Sequence, residues 1–267
     1  MTKTIKRSVI VALAAVAMGL FVLPAHAQFG KLGKSLGKVA KDAGNAVSSA
    51  AGDMAMDAVA NKASTKVVEW MDNNNTVVAD DNAYATRLNK LVSGYTSVDG
   101  LAINYKVYEN PEINILGTAD GSIRVYTGMM DVLTDNELKA VIAIQIAHIA
   151  NKDTRDALMK AASGDNATKA STAQLEKLLS MSGDKMGTIV NELLQVPYTE
   201  DQSKAADTFA YDLLKKNGSD VAGLASALKK FAAMEATDAE AENDENAEYS
   251  GAAKYNAVNV SSAVRAS

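Results

Sequence analysis

The side chains that could bind a catalytic metal are scarce in this chain. Its 267 residues include two histidines, His26 and His148, and no cysteine. A catalytic zinc ion normally takes three protein ligands, mostly His together with a carboxylate or Cys. His26 falls in an N-terminal segment that we expect to be removed, which leaves His148 as the one candidate of that type. The sequence therefore predicts that no zinc site forms and that no cofactor is bound.

Two segments nevertheless carry a specific succession of residues. Residues 114–153 read NILGTADGSIRVYTGMMDVLTDNELKAVIAIQIAHIANKD, and residues 198–207 read YTEDQSKAAD. In the first segment, a pair of short strands with a turn leads through a second turn into a helix. The positions that define this pattern are Asn114, Gly121, residues 125–129, and Glu137-Leu138 at the helix start.

These segments resemble family 48 of the metallopeptidases, the HtpX-type enzymes, and the resemblance extends over residues 80–235. In that family the helix carries His-Glu-x-x-His. The two His at i and i+4 bind zinc, and the Glu activates the bound water. A downstream Glu-x-x-Ala-Asp segment supplies the third ligand and a supporting Asp. The resemblance implies an α+β fold, a mainly helical zincin-like domain with a small sheet before the central helix.

The departures from the family pattern fall on the ligands and the base. The alignment places Ile144 and His148 at the two His positions, Gln145 at the Glu, Ser203 at the third ligand and Asp207 at the supporting Asp. Ile144 cannot bind a metal, and the amide of Gln145 cannot take a proton. We interpret these five positions as the relic of a zinc site. His148 is then a hydrogen-bonded structural histidine, and Asp207 either pairs with His148 or caps a helix.

A peptide could still bind to such a domain without a metal. In zincin-like folds a substrate strand adds to the edge of the sheet through backbone hydrogen bonds. The resemblance places that edge within residues 117–126. We therefore expect the residues that contact a peptide to include Asn114, Gly121, Arg124 and Tyr126.

Hydrophobic periodicity predicts the elements around this site. Residues 45–72 are predicted as one long helix or two shorter ones, ended by three consecutive Asn residues, and residues 81–93 as a second helix. Alternation of apolar and polar residues predicts a strand over 101–108. Shorter strands follow at 113–116 and 123–126, with a turn at Asp120-Gly121. From residue 135 onward the pattern is helical.

The N-terminus predicts export. Residues 1–7 are basic, residues 9–23 are apolar, and Ala25-His26-Ala27 provides the small-x-small pattern that signal peptidase cleaves. The apolar segment is shorter than the about 20 residues of a membrane span. We expect residues 1–27 to be a signal peptide, cleaved after Ala27, and the protein to be periplasmic or secreted. Retention of the segment as a membrane anchor remains an alternative.

The predicted mature chain is acidic. Residues 1–27 contain three of the 27 basic residues and none of the 32 acidic ones, so the mature net charge is −8. Such a chain offers little for binding nucleic-acid phosphates. Residues 28–43, QFGKLGKSLGKVAKDA, form a basic arm that we expect to be loosely ordered, or to contact an anionic membrane surface or an acidic partner weakly. Residues 236–267 are expected to be an acidic, flexible C-terminal segment.

Three hypotheses of function follow from the sequence. The first is a pseudopeptidase that binds a protein or peptide of the cell envelope in the former substrate groove. The second is an active peptidase with an altered centre, in which Ser203, Gln145 and His148 meet. The third is a structural or envelope-interaction protein that acts through its terminal segments. The sequence does not indicate an oligomeric state.

Overall fold

The computed structural model describes the backbone of residues 29–163, 172–241 and 262–265. It describes the side chains of residues 51–163, 172–237, 262 and 265. The predicted signal peptide, residues 1–27, lies outside this part. The helices are α1 (Phe29–Asn74), α2 (Ala83–Val92), α3 (Thr127–Val132), α4 (Asp135–Ala150), α5 (Asp153–Ser163), α6 (Thr172–Leu178), α7 (Gly183–Leu193), α8 (Glu200–Lys216), α9 (Ala222–Ala241) and α10 (Ser262–Arg265). The strands are β1 (Ser97–Val98), β2 (Leu101–Ala102), β3 (Asn104–Tyr108), β4 (Ile115–Gly117) and β5 (Ser122–Tyr126). The described part of the chain divides into two units, with the boundary after residue 50, within α1.

Helix α1 is longer than the sequence predicts. It ends at Asn74, as the run of Asn residues indicates, but it begins at Phe29 and so includes the arm that was expected to be loosely ordered. Apolar residues at helical spacing in residues 28–43 favour this helix over the loose arm. From residue 51 onward, α1 belongs to the same unit as the predicted domain over residues 80–235. Its buried residues there recur every three or four positions, as on an amphipathic helix: Ala60, Ala63, Val67 and Met71.

A three-stranded sheet has the order β3-β5-β4, with β5 parallel to β3 and antiparallel to β4. Every residue of the central strand β5 is buried. Ile123 and Val125 pack into the hydrophobic cluster around α4, and Tyr126 packs into the cluster that includes α1. The predicted strand over 101–108 is divided, because Leu101 and Ala102 pair with β1 in a separate hairpin.

Two glycines of the recognised pattern are required by close backbone approach. Gly121 has φ +87°, and a Cβ there would lie 2.2 Å from the carbonyl oxygen of Ala102. A Cβ on Gly128 would lie 2.0 Å from the carbonyl oxygen of Pro111. The first glycine forms the predicted turn between β4 and β5, and the second lets α3 begin directly after the sheet.

Helix α4 is the buried helix that the sequence predicts. Thr134 caps its first turn and Glu137 hydrogen-bonds back to Thr134, so the two residues form a capping box. Burial would raise the pKa of Glu137, but hydrogen bonds from Lys230, Ser226 and Thr134 outweigh it and lower the pKa to about 2. Helices α8 and α9 pack on α4, and α2 also contacts it. This packing encloses α4 between the helices and the sheet.

Two helices include residues of the segment 236–267, which the sequence predicts to be acidic and flexible. Helix α9 extends to Ala241, and the short helix α10 follows at Ser262–Arg265. The backbone N–H of Ser262 donates to Oε1 of Glu235 at 2.7 Å. Residues 242–261 lie outside the described residues. No helix in the described part of the chain is both long enough and apolar enough to cross a membrane.

Candidate functional site

His148, in the last turn of α4, is completely buried. Its Nδ1 lies 2.9 Å from Oδ2 of Asp153, and its ring stacks on Tyr198 with the centroids 3.9 Å apart. Asp153 also accepts a hydrogen bond from Nε2 of Gln202 at 3.1 Å. Because a carboxylate only accepts, Nδ1 carries the proton of the neutral ring. The basic atom Nε2 has no hydrogen-bond partner in the described part of the chain.

The surroundings keep His148 neutral. Burial lowers the pKa of His148, and the hydrogen bond to Asp153 raises it only in part. Nearby charges have smaller effects, with Arg265 lowering this pKa and Asp207 raising it. The pKa therefore lies below the ordinary value for His, and the ring is uncharged at pH 7. The predicted role of His148 as a hydrogen-bonded structural residue agrees with these contacts.

Ile144 and Ser203 lie in the packed interior. Ile144 is fully buried on α4. Ser203 is buried on α8, on the same side as the other buried residues of that helix, Ala206, Ala210 and Leu214. This side of α8 packs on α4. The Oγ atom of Ser203 has no hydrogen-bond partner among the described residues. The third-ligand position therefore holds a neutral hydroxyl in an apolar interface.

Gln145 binds the sheet instead of serving as a base. Its Oε1 accepts a hydrogen bond from the backbone N–H of Gly117, in strand β4, at 3.0 Å. The backbone groups of Asn114 and Thr118 bond to β5, so those of Ile115 and Gly117 face away from it, toward the outer edge. The N–H of Ile115 donates to Oδ1 of Asn114 at 2.8 Å. Both outward N–H groups of β4 are thus bonded to side chains of the same chain.

The structure corrects the expected position of two peptide-contact residues. Arg124 and Tyr126 lie in the central strand β5 and not at an edge. The Arg124 side chain is 2% exposed and pairs with Asp72 of α1, with Nε 2.8 Å from Oδ1. The sequence contains no sign of this pairing, because Asp72 lies 52 residues earlier in the chain. Asn114 precedes the edge strand β4, and Gly121 forms the turn that follows that strand.

Asp207 pairs with Arg265, a residue that the sequence analysis did not single out. Nε of Arg265 lies 3.0 Å from Oδ2 of Asp207, and a second guanidinium nitrogen lies 2.6 Å from Oδ1. The Arg265 side chain is 2% exposed. The hypotheses that Asp207 pairs with His148 or caps a helix are therefore wrong. The separation of 58 residues along the chain left no local signal for this pair.

A small cavity of about 20 Å³ lies beside the edge strand β4 and Gln145. The hydroxyls of Ser64, from α1, and Thr154, from α5, are buried and line it. Neither hydroxyl has a hydrogen-bond partner within the described part of the chain. A volume of this size takes about one water molecule. This cavity is therefore too small for a peptide side chain in this conformation.

The residues present do not fit a zinc ion. A structural or catalytic zinc takes three or four ligands from Cys, His, Asp and Glu. Ile144 has no ligand atom, Ser203 offers only a neutral hydroxyl, and the carboxylate of Asp207 is paired with Arg265. Within residues 51–163, 172–237, 262 and 265, no three His, Cys, Asp or Glu side chains form a group that could hold a metal. No catalytic step through zinc can be derived from this arrangement.

Comparison with known proteins gives consistent matches. The model of Peptidase family M48 matches residues 104–255. Metalloprotease LoiP of Escherichia coli (strain K12) is 33% identical over 181 residues, which cover 67% of this chain and 71% of LoiP. Metalloprotease YcaL of the same strain is 30% identical over 172 residues, which cover 62% of this chain and 65% of YcaL. The residues matched by the family model include helix α4 and helix α8, where the ligand positions lie.

Proposed function

Since the chain belongs to peptidase family M48, we propose that it is a catalytically inactive member, which acts by binding a protein or peptide in the cell envelope. The predicted resemblance and the α+β, zincin-like fold class are both confirmed. The observation that carries the proposal is the state of His148. It is the one residue of ligand type left at the three ligand positions, and it is buried, neutral and bonded to Asp153.

The lost groups account for inactivity in chemical terms. Peptide hydrolysis in this family needs a metal to polarise the carbonyl and to acidify a water, and a carboxylate to take the proton. Ile144 and Ser203 remove two metal ligands. Gln145 replaces the carboxylate by an amide, which has no basic oxygen, and its Oε1 is already bonded to Gly117. Each of these changes alone would impair the reaction.

Binding at the groove requires the release of Gln145 from Gly117. A peptide strand beside β4 would offer its own carbonyl oxygen to the N–H of Gly117 and take the place of the amide. Exchange of one acceptor for another costs little, because a hydrogen bond contributes about 1 kcal/mol net. The small cavity beside Gln145 would have to widen at the same time. These properties support a partner that adds as an extended strand, with Gln145 as a replaceable cap.

A second candidate is a hydrolase with an altered centre, and one observation favours it. Asp153 orients His148 and leaves Nε2 without a partner, as the Asp of a Ser-His-Asp triad does. Ser203 Oγ is also unpartnered in the described structure. No hydrogen bond joins these two atoms among the described residues, and both lie in the interior. We therefore place this candidate second.

Metal analysis tests the proposal. Protein purified without chelators should contain no stoichiometric zinc and should cleave no unfolded protein substrate. The triple variant Ile144→His, Gln145→Glu, Ser203→Glu recreates the ligand types of the family, and we expect it to bind about one zinc and to melt at a higher temperature with zinc. Without metal it should be a few kcal/mol less stable, because unpaired polar groups are buried.

The control adds His148→Gln to the triple variant, which removes the remaining ligand. Zinc should then lose its effect on the melting temperature. About one tightly bound zinc in the natural protein, or cleavage that a chelator abolishes, would contradict the proposal. Because the natural protein is measured directly, this outcome does not depend on whether the variants fold. Cleavage that persists in chelator but is lost in Ser203→Ala would favour the altered centre.

The location in the envelope has its own test. The basic start, the apolar segment and Ala25-His26-Ala27 support cleavage after Ala27. Mass spectrometry of the chain isolated from the envelope fraction should find Gln28 at the N-terminus. Recovery of a chain that retains residues 1–27 would mean that this segment anchors the protein, and recovery from the cytoplasm would refute export.

A further inference from the structure

In residues 29–43, the first part of helix α1, the lysine positions lie on one side of the helix. The backbone is helical from Phe29 onward, so residues three and four apart share a side. Four lysine positions recur at spacings of three, four and three: Lys31, Lys34, Lys38 and Lys41. With 3.6 residues per turn, these positions fall within an arc of about 80°.

The apolar positions of the same segment lie on the opposite side. They are Phe29, Leu32, Leu36, Val39, Ala40 and Ala43. At 100° per residue, the centre of this group lies about 170° from the centre of the lysine group. Gly30, Gly33 and Gly37 fall together between the two sides. A wide apolar side opposite a lysine side is the pattern of helices that lie in a membrane interface.

The charge of the segment contrasts with that of the rest of the chain. Residues 28–43 contain four lysines and one acidic residue, Asp42, which gives a net charge of +3. Residues 44–267 contain 20 basic and 31 acidic residues, a net charge of −11. An anionic surface would therefore repel the larger part of the protein and attract residues 28–43. If the protein contacts an anionic surface, we therefore expect residues 28–43 to make the contact.

Because it contains three glycines, this part of the helix has low intrinsic stability and depends on packing of its apolar side. Glycine weakens a helix interior, and most of the stability of an amphipathic helix in a protein comes from packing of its apolar side. A membrane interface would cover the apolar positions and bring anionic headgroups near the lysines. We propose that residues 29–43 form a membrane-surface helix that binds anionic phospholipid. The proposal rests on the proposed export, because the helix must face the envelope side of a membrane.

Vesicle sedimentation tests the proposal with the protein isolated from the envelope. Vesicles of phosphatidylcholine containing about one third phosphatidylglycerol should bind it, and vesicles of pure phosphatidylcholine should bind it at least tenfold more weakly. Raising the salt concentration should weaken the binding, because the attraction is screened. The variant Lys31→Gln, Lys34→Gln, Lys38→Gln, Lys41→Gln should lose at least tenfold in binding.

A matched control changes four exposed lysines of the second unit, Lys90, Lys160, Lys185 and Lys216, to Gln. Its net charge equals that of the first variant, and we expect its binding to be unchanged. Equal loss in both variants, equal binding to both vesicle types, or no binding would overturn the proposal. If residues 28–43 instead bind the acidic residues of their own chain, the protein will fail to sediment with either vesicle type. Mass spectrometry of the same sample separates these outcomes from a failure of export.

Discussion

At the scale of the residue, burial and hydrogen bonding act on His148 in opposite directions. Burial disfavours the charged ring, and Asp153 favours it. Burial has the larger effect on this pKa, since His148 is completely buried and its ring stacks on Tyr198. The residue at the second His position of the family pattern is here a neutral interior group. The balance of these two effects on its pKa also affects the stability of the protein.

This predicts a loss of stability at mildly acidic pH. The pKa of His148 is lower in the folded than in the unfolded chain, so the unfolded state binds more protons as the pH falls below about 6.5. The free energy of unfolding should therefore decrease from pH 7.5 to pH 5.5, by at most about 1.4 kcal/mol per pH unit. Urea unfolding at several pH values measures this. The His148→Gln variant, which can still donate to Asp153, should show a flatter dependence over the same range.

Two carboxylates, those of Asp72 and Glu137, affect stability at a lower pH than His148 does. The pKa values of Asp72 and Glu137 are lowered to about 2. Their contribution to stability is present above their unfolded pKa values, near 4, and is lost only as the pH falls further. A decrease in stability between pH 7.5 and 5.5 that is unchanged in His148→Gln would contradict the prediction.

The candidate site could be predicted only in part. The loss of the zinc ligands follows from counting His and Cys and from the types at positions 144 and 203. The pairing of His148 with Asp153 could not be predicted from the sequence, because it depends on the backbone conformation of the residues between them. Lys152 adopts φ +67°, in the left-handed region, just after α4 ends. The chain turns there, and Asp153 reaches back to the last turn of the helix.

At the scale of the element, a group of polar residues joins α1 to the sheet. Asp72 accepts hydrogen bonds from Arg124, Lys106 and Tyr108 at 2.7 to 3.0 Å. Burial alone would raise the pKa of Asp72, but these bonds outweigh it. The Arg124 guanidinium is 2% exposed, so Asp72 is the counter-ion that lets a charged residue lie in the central strand. The end of α1 and the middle of the sheet thus depend on each other.

We therefore expect Asp72→Asn to destabilise the protein by about 3 kcal/mol, because it leaves the Arg124 charge buried without its counter-ion. The matched control is Glu69→Gln, one turn earlier on the same helix. Glu69 pairs with Lys66 in an exposed ion pair, whose loss should cost less than about 1 kcal/mol. Urea unfolding of both variants checks the difference. Equal effects would mean that the Asp72 cluster contributes no more than a surface pair.

The sequence predicts the elements better than their arrangement. The helix that starts after Thr134 and the turn at Gly121 follow from local patterns, a capping box and an Asp-Gly pair. The order of the sheet does not, because β5 follows β4 in the chain but pairs with β3 as well. With Arg124 between Ile123 and Val125, polar and apolar residues alternate in β5 as in a strand with one exposed face, although every residue of β5 is buried. Asp72, the partner of Arg124, lies 52 residues earlier, and such distant pairs leave no periodic signal.

At the scale of the whole molecule, the C-terminal end of the described chain closes the site region. Helix α10 brings Arg265 to Asp207 on α8, and the N–H of Ser262 to Glu235 on α9. Residues 262–265 are thus bound to both helices that cover α4. The sequence did not indicate these contacts, because the acidic composition of the C-terminal segment carries no signal for a partner so far along the chain.

The variant Arg265→Gln should lower the free energy of unfolding by about 3 kcal/mol, because it leaves the partly buried Asp207 carboxylate without a counter-ion. Arg265→Lys should recover part of this loss, since it keeps the charge but not the two parallel hydrogen bonds. Hydrogen exchange should become faster in α8 in the first variant. If Arg265→Gln unfolds at the same urea concentration as the natural protein, residues 262–265 do not stabilise the domain.

The bonds that Asn114 and Gln145 make to strand β4 also bear on solubility. An edge strand with unpaired N–H groups is a template on which a second copy of the chain can pair, and repeated pairing leads to fibrils. In this protein both outward N–H groups of β4 are satisfied from within. On the other side of the sheet, Val77 forms a bridge with Tyr108 of β3. A second copy of the chain can therefore pair with β4 only after it displaces the side-chain oxygens of Asn114 and Gln145.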